Sequence, residues 1–208
     1  MCSAQADPVS DGGTAMEVSE VFADLPQLET ERLLLRRARI SDAADVYAYA
    51  SDPEVALHTT WEPHDSPEAS RVFVESLLAR YAAAEVANWV MVLKAEGRVV
   101  GAGGFVYWNP AHNRAEVAYA LARRLWGRGL TTEAIRRVRD FGFDVMGCNR
   151  IEARCLTENI ASARVMEKAG MTFEGVIREQ MYVKGTYRDL RLYSVLRREM
   201  PAREGHNP

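Results

Sequence analysis

Residues 125–134 read LWGRGLTTEA. Gly127 and Gly129 flank Arg128, behind the strand-like alternation of AEVAYAL (115–121). A helical pattern follows, with Ala134, Val138, Phe141 and Val145 spaced 4, 3 and 4 apart as one buried face. Glycines let a backbone approach a ligand closely or turn with positive φ. The helix start adds unpaired N–H groups and the positive end of its dipole. Together they make an anion site suited to phosphate, with Arg128 and Arg124 as nearby charge. A turn plus an ordinary helix cap uses the same residues. No Lys-Ser/Thr follows the second glycine, so this is not a P-loop. The third glycine of a dinucleotide fingerprint is missing too.

Upstream, WVMVLKAEGRVVGAGGFVYW (89–108) reads as two strands turning at Glu96-Gly97. RLLLRRA (32–38) carries a strand-like run, and Ser41-Asp42 starts a short helix over about 43–50. Ser66-Pro67 opens a longer helix whose apolar positions are Val72, Phe73, Leu77 and Ala84. Downstream, RIEARCL (150–156) is a strand and 160–169 a helix capped by Asn159 and ended by Gly170. A hairpin closes the series, with 172–183 and 187–196 joined at Lys184-Gly185. The order predicts an α/β layered domain with a mixed sheet.

The 208 residues suit one domain, expected over 28–200, with a C-terminal tail at 201–208. Residues 1–27 hold five acids and no Lys or Arg, and read as a disordered acidic tail; Met16 is an alternative start. They lack the basic start and apolar run of a signal peptide. No stretch is apolar enough for a transmembrane helix. A net charge of −3 gives no phosphate-neutralising surface, so neither nucleic acid nor membrane is an expected partner. The odd set Cys2, Cys148 and Cys155 lacks metal-ligand spacing and reads as reduced thiols of a cytoplasmic protein. No metal site is expected, because the four histidines form no i, i+4 pair.

The glycine segment resembles the acyl-CoA pyrophosphate loop of the GNAT acetyltransferase superfamily, Gln/Arg-x-x-Gly-x-Gly/Ala. It runs here through Trp126, Gly127, Arg128, Gly129, Leu130 and Thr131, followed by Thr132. Trp126 and Thr131 depart from that pattern and resemble the ribosomal-protein-alanine N-acetyltransferase branch. So do LETERLLLR (28–36), WNPAHNRAEVAYAL (108–121) and RIEARCLTENIASARVMEKAGMTFEG (150–175). The resemblance spans about 28–197. It implies a three-layer fold with a mixed, mostly antiparallel sheet flanked by helices, and acetyl-CoA as co-substrate.

It also implies roles for particular residues. Glu116 on the central strand is the candidate base, its side chain facing away from Ala115 and Val117. The place where much of the superfamily carries a tyrosine acid holds Met166, so Ser162 is the candidate donor near the thioester. Asn159 would hydrogen-bond pantetheine as well as cap its helix. Backbone N–H groups near Tyr119, Ala120 and Leu121 would polarise the carbonyl, where the family bulges its strand. Segments 58–64, 107–114 and 182–188 would border the acceptor through Trp61, Trp108 and Tyr182. The default acceptor is a protein N-terminal amine. A small amine (amino acid, polyamine or aminoglycoside) is the rival, and a non-catalytic acyl-CoA-binding module a further alternative. The oligomeric state is expected to be monomer or homodimer.

Overall fold

The computed structural model describes residues 17–201. Residues 1–16 and 202–208, with Cys2, Met16 and most of the C-terminal tail, lie outside them. An eight-stranded sheet runs in the order β1 (Leu28–Glu29), β2 (Leu33–Arg36), β3 (Asn88–Leu93), β4 (Arg98–Asn109), β5 (Arg114–Leu121), β6 (Arg150–Leu156), β8 (Thr186–Leu196), β7 (Thr172–Val183). All neighbours are antiparallel except β5 and β6. The mixed, mostly antiparallel sheet implied above is therefore present.

Helices cover both faces of the β3–β4 region, which is why Trp89 and Met91 on one face and Val90 and Val92 on the other are all buried. Helices α2 (Ala43–Ala50) and α4 (Pro67–Ala82) pack together, α2 against β4. Helix α5 (Leu130–Asp144) packs on β4 and β5, and α6 (Ile160–Lys168) on the β6–β8 side. Trp89 packs edge-on to Phe141 of α5 and Phe105 of β4. Gly142 lets α5 come this close: a Cβ there would lie 2.7 Å from Ile151 and 2.8 Å from Phe105.

Local chemistry sets the element ends. Ser66 Oγ accepts from the Ala69 N–H, with Pro67 in the first helical turn. Asn159 Oδ1 accepts from the Ser162 N–H at 3.0 Å, and Gly170 ends α6 at φ +86°. Lys184 and Gly185 both take positive φ, the geometry of a tight hairpin turn.

Three expectations need correcting. Residues 17–27 do not continue the tail, because α1 (Val18–Phe22) and the chain after it bury Val21, Phe22 and Leu25. The Phe22 ring meets Trp108, and the Pro26 carbonyl accepts from the Trp89 indole at 2.7 Å. Residues 53–56 form a short helix, α3 (Pro53–Ala56), within the expected loop. Buried faces shift as well. Helix α4 buries Ser70, Val74, Leu77 and Tyr81, while Val72 is exposed. Tyr81 sets that rotation: its hydroxyl donates to the Asn88 carbonyl and accepts from the Ala38 N–H. Val145 is exposed because it caps α5 rather than continuing it.

Candidate active site

The parallel pair β5–β6 is joined only from Arg114/Arg150 to Val117/Ala153. Beyond that, β5 continues to Leu121 against β4, and β6 continues to Leu156 against β8. The sheet therefore splits after Val117. The expected bulge at Tyr119–Leu121 is absent, because those residues pair with β4 in unbroken register. The irregularity lies instead in β4, between Phe105 and Tyr107. Strand divergence, not a bulge in β5, opens the central sheet.

The glycine loop leads into α5. Gly127 and Gly129 take φ +74° and +77°, and nothing lies within 4 Å of a Cβ at Gly127. Among the described residues, the backbone N–H groups of Gly127, Arg128, Gly129, Leu130, Thr131 and Thr132 donate to no protein acceptor. Six successive amides at a helix start form an anion cradle. The Trp126 indole donates to the Leu121 carbonyl at 2.8 Å, tying the loop to β5. Arg124 is committed to Glu96 through two hydrogen bonds, so it adds no uncompensated charge.

Arg32 was not foreseen at this site. It donates to the Arg128 carbonyl at 2.9 Å, and its backbone N–H and guanidinium hold both carboxylate oxygens of Glu133. A cleft of about 570 Å³ opens there, lined by Arg32, Gly129, Thr132, Glu133 and Arg136 among others.

Alternation along β5 sends its side chains to two faces. Tyr119 points to the α5–α6 side, where its hydroxyl lies 2.8 Å from Ser162 Oγ. Glu116 points to the other face. There Arg154 Nη2 sits 3.5 Å from Glu116 and 3.4 Å from Glu152. Burial raises the Glu116 pKa above the ordinary carboxylate range; Arg154 opposes the shift and Glu152 adds to it. Arg150 is held by Glu152 and Glu174, and its hydrogen bonds bring the Glu174 carboxyl down to about 2. Arg150 is thus occupied, leaving Arg154 as the cation in contact with Glu116.

Asn159 caps α6 through Oδ1, and its Nδ2 donates to no acceptor among the described residues. Met166 is fully buried in the core. Of the acceptor-side aromatics, Tyr182 is exposed with its ring against Tyr187, and Trp61 is half-buried beside His64. Trp108 is corrected: it is 6% exposed and packs on Phe22, so it is a core residue. The β4 irregularity at Val106 reverses its facing, which leaves Tyr107 on the Glu116 side. Lys184 Nζ donates to the Ala56 carbonyl at 2.7 Å, drawing the β7–β8 turn against the end of α3. Lys184 Nζ also lies 3.9 Å from Glu62, so segments 58–64 and 182–188 adjoin.

The cradle fits a diphosphate, and the split next to it fits an extended amide chain. A carboxylate and a hydroxyl pair stand on opposite faces of the strand between them. Among the described residues, no helix is long and apolar enough to cross a membrane.

A sequence model of the acetyltransferase (GNAT) domain matches residues 32–172. The chain is 33% identical over 172 residues to the uncharacterized N-acetyltransferase YoaA of Bacillus subtilis (strain 168), covering 83% of this chain and 97% of that protein. It is also 33% identical over 91 residues to the putative ribosomal N-acetyltransferase YdaF of the same strain, covering 44% of this chain and 50% of that one. A crystal structure of a GNAT-family acetyltransferase from Bacillus anthracis superposes with a TM-score of 0.73 at 28% identity, covering 82% of this chain and 98% of that one.

Proposed function

This chain belongs to the GNAT acetyltransferase family and is an acetyl-CoA-dependent N-acetyltransferase, and on that premise we propose that its acceptor is a protein N-terminal α-amine. The observation that carries the reading is the split beyond Val117, with an anion cradle beside it and Glu116 on the face away from α5 and α6. Glu116, Arg114 and Arg154 alternate with Glu152, Arg150 and Glu174 on that face, so charges of both signs balance. A polyamine would favour a net acidic surface, whereas a peptide end carries one amine and an amide chain. Exposed Tyr182 and Tyr187 offer flat contact for such a chain. The loop and strand segments that resemble the ribosomal-protein-alanine branch support the same acceptor. A cytoplasmic location accords with it.

Acetyl-CoA supplies the activated acetyl thioester. The amides of residues 127–132 hold its diphosphate, and Asn159 Nδ2 donates to the pantetheine arm. Amides near Tyr119–Leu121 face the acetyl carbonyl. Glu116, made more basic by burial, takes the proton from the arriving ammonium, directly or through water. An α-amine has a pKa of about 8 and arrives mostly protonated. As the C–S bond breaks, Ser162 donates a proton toward the departing sulfur, and the second proton that the nitrogen sheds on forming the amide returns to the serine oxygen through water.

A thiol-release assay tests the acceptor. N-terminal peptides starting with Ala, Ser or Met are compared with spermidine, aminoglycosides and free amino acids. Acetylation of the peptide α-amine is expected; turnover confined to small amines would overturn the reading. In the same assay Trp61→Ala is expected to raise the acceptor KM about fivefold and leave the acetyl-CoA KM within about twofold. Equal rises in both would remove residue 61 from the acceptor wall.

A further inference from the structure

We propose that Tyr119 is a positioning residue for the reaction: its phenol O–H holds the Ser162 hydroxyl so that the serine proton is free to point into the split between β5 and β6. This rests on the Ser162 reading above and adds a residue whose side chain that reading leaves idle. Tyr119 stands on β5 just past the last β5–β6 pair. Its oxygen spans to α6, 2.8 Å from Ser162 Oγ and 3.1 Å from the Ser162 carbonyl.

A phenol has one proton and two acceptors in reach here. Given to the carbonyl, it would leave the tyrosine oxygen to accept the serine proton, and Ser162 could donate nothing to a ligand. Given to Oγ, the shorter contact, it fills one serine lone pair and keeps the serine O–H from the tyrosine, leaving it to choose between the Cys155 thiol and the split. Burial pushes the phenol well above its ordinary pKa, so it stays a neutral donor throughout the working range. Tyr119 therefore acts through Ser162 and is not itself the acid. The backbone is fixed independently of this contact: the Ser162 N–H is capped by Asn159, and Tyr119 is paired with Gly103.

The test is a double-mutant cycle on turnover, with melting temperature and acetyl-CoA KM followed alongside. Tyr119→Phe is expected to lower kcat about fivefold, the scale of one net hydrogen bond, with acetyl-CoA KM unchanged. In the Ser162→Ala background the same change should have no further effect. Full turnover by Tyr119→Phe beside a slow Ser162→Ala overturns this inference alone. Equal losses in both backgrounds also overturn it, because Tyr119 would then act by packing. Full turnover by Ser162→Ala removes the Ser162 reading and this inference with it. Should the Phe variant not fold, 3-fluorotyrosine at 119 keeps ring and O–H while changing donor strength. It should alter kcat only when Ser162 is present, and an unaltered kcat overturns the proposal.

Discussion

Glu116→Gln lowers turnover at pH 7 by about 10²-fold or more, the usual contribution of a positioned base. Gln keeps the size and polarity of the side chain, and Arg154 still has Glu152, so the fold should persist. The pH profile separates base loss from structural damage. Burial raises the Glu116 pKa, so the ionised form that accepts a proton becomes populated only above the ordinary carboxylate range. Activity must then rise with pH through that raised value. The peptide amine arrives as its ammonium, from which Glu116 takes the proton, so ionisation of the amine near about 8 adds no second rise. Below the raised value the logarithm of kcat/KM climbs with a slope near about 1, and above it the profile levels off. In the Gln variant only amine already deprotonated in solution reacts, so its limb moves up to about 8 with a slope near about 1. Unchanged turnover, or a variant profile that levels off where the parent's does, would take Glu116 out of the mechanism.

Hydrophobic periodicity and caps made most of the fold legible. From β2 onward, α3 apart, the strand and helix order stands where local pattern places it, as do the Ser66-Pro67 start and the Asn159 cap. Residues 17–27 carry the pattern of a tail because acids and small residues surround Val21, Phe22 and Leu25. Their burial depends on Trp108 and Trp89, more than 60 positions away, which no local window contains. Trp108 lies in the core, against the sequence expectation, for a related reason. One extra residue in β4 reverses which face the following side chains take, and FVYW carries no sign of it. At the site, the glycine loop and Glu116 were visible as patterns. The Tyr119–Ser162 and Arg32–Glu133 pairs were not, because strand divergence and helix packing create them across 43 and 101 positions.

That second pair bears directly on cofactor affinity. Glu133 sits in the first turn of α5, the helix whose start would receive the diphosphate in the proposed reading. A carboxylate there favours the bare helix but repels a bound anion. Arg32 resolves the conflict: its guanidinium and backbone N–H occupy both Glu133 oxygens, and it holds the Arg128 carbonyl so that the loop amides stay outward. Arg32→Ala removes the guanidinium from Glu133 and from the Arg128 carbonyl, while the backbone N–H stays on one Glu133 oxygen. Loss of the loop hydrogen bond costs about 1 kcal/mol, and the uncovered charge costs about 1 kcal/mol more at this half-exposed site. Together they raise the acetyl-CoA Kd about thirtyfold by calorimetry. The extra charge also makes binding depend on ionic strength, so the deficit should shrink as salt is added. Adding Glu133→Gln should recover the electrostatic half and leave about a fivefold weakening from the unheld loop. If the double variant binds no better than Arg32→Ala, Glu133 exerts no repulsion and Arg32 serves only to brace the loop. If Arg32→Ala binds as tightly as the parent, the six amides hold their geometry unaided and the charge at position 133 does not reach the cradle.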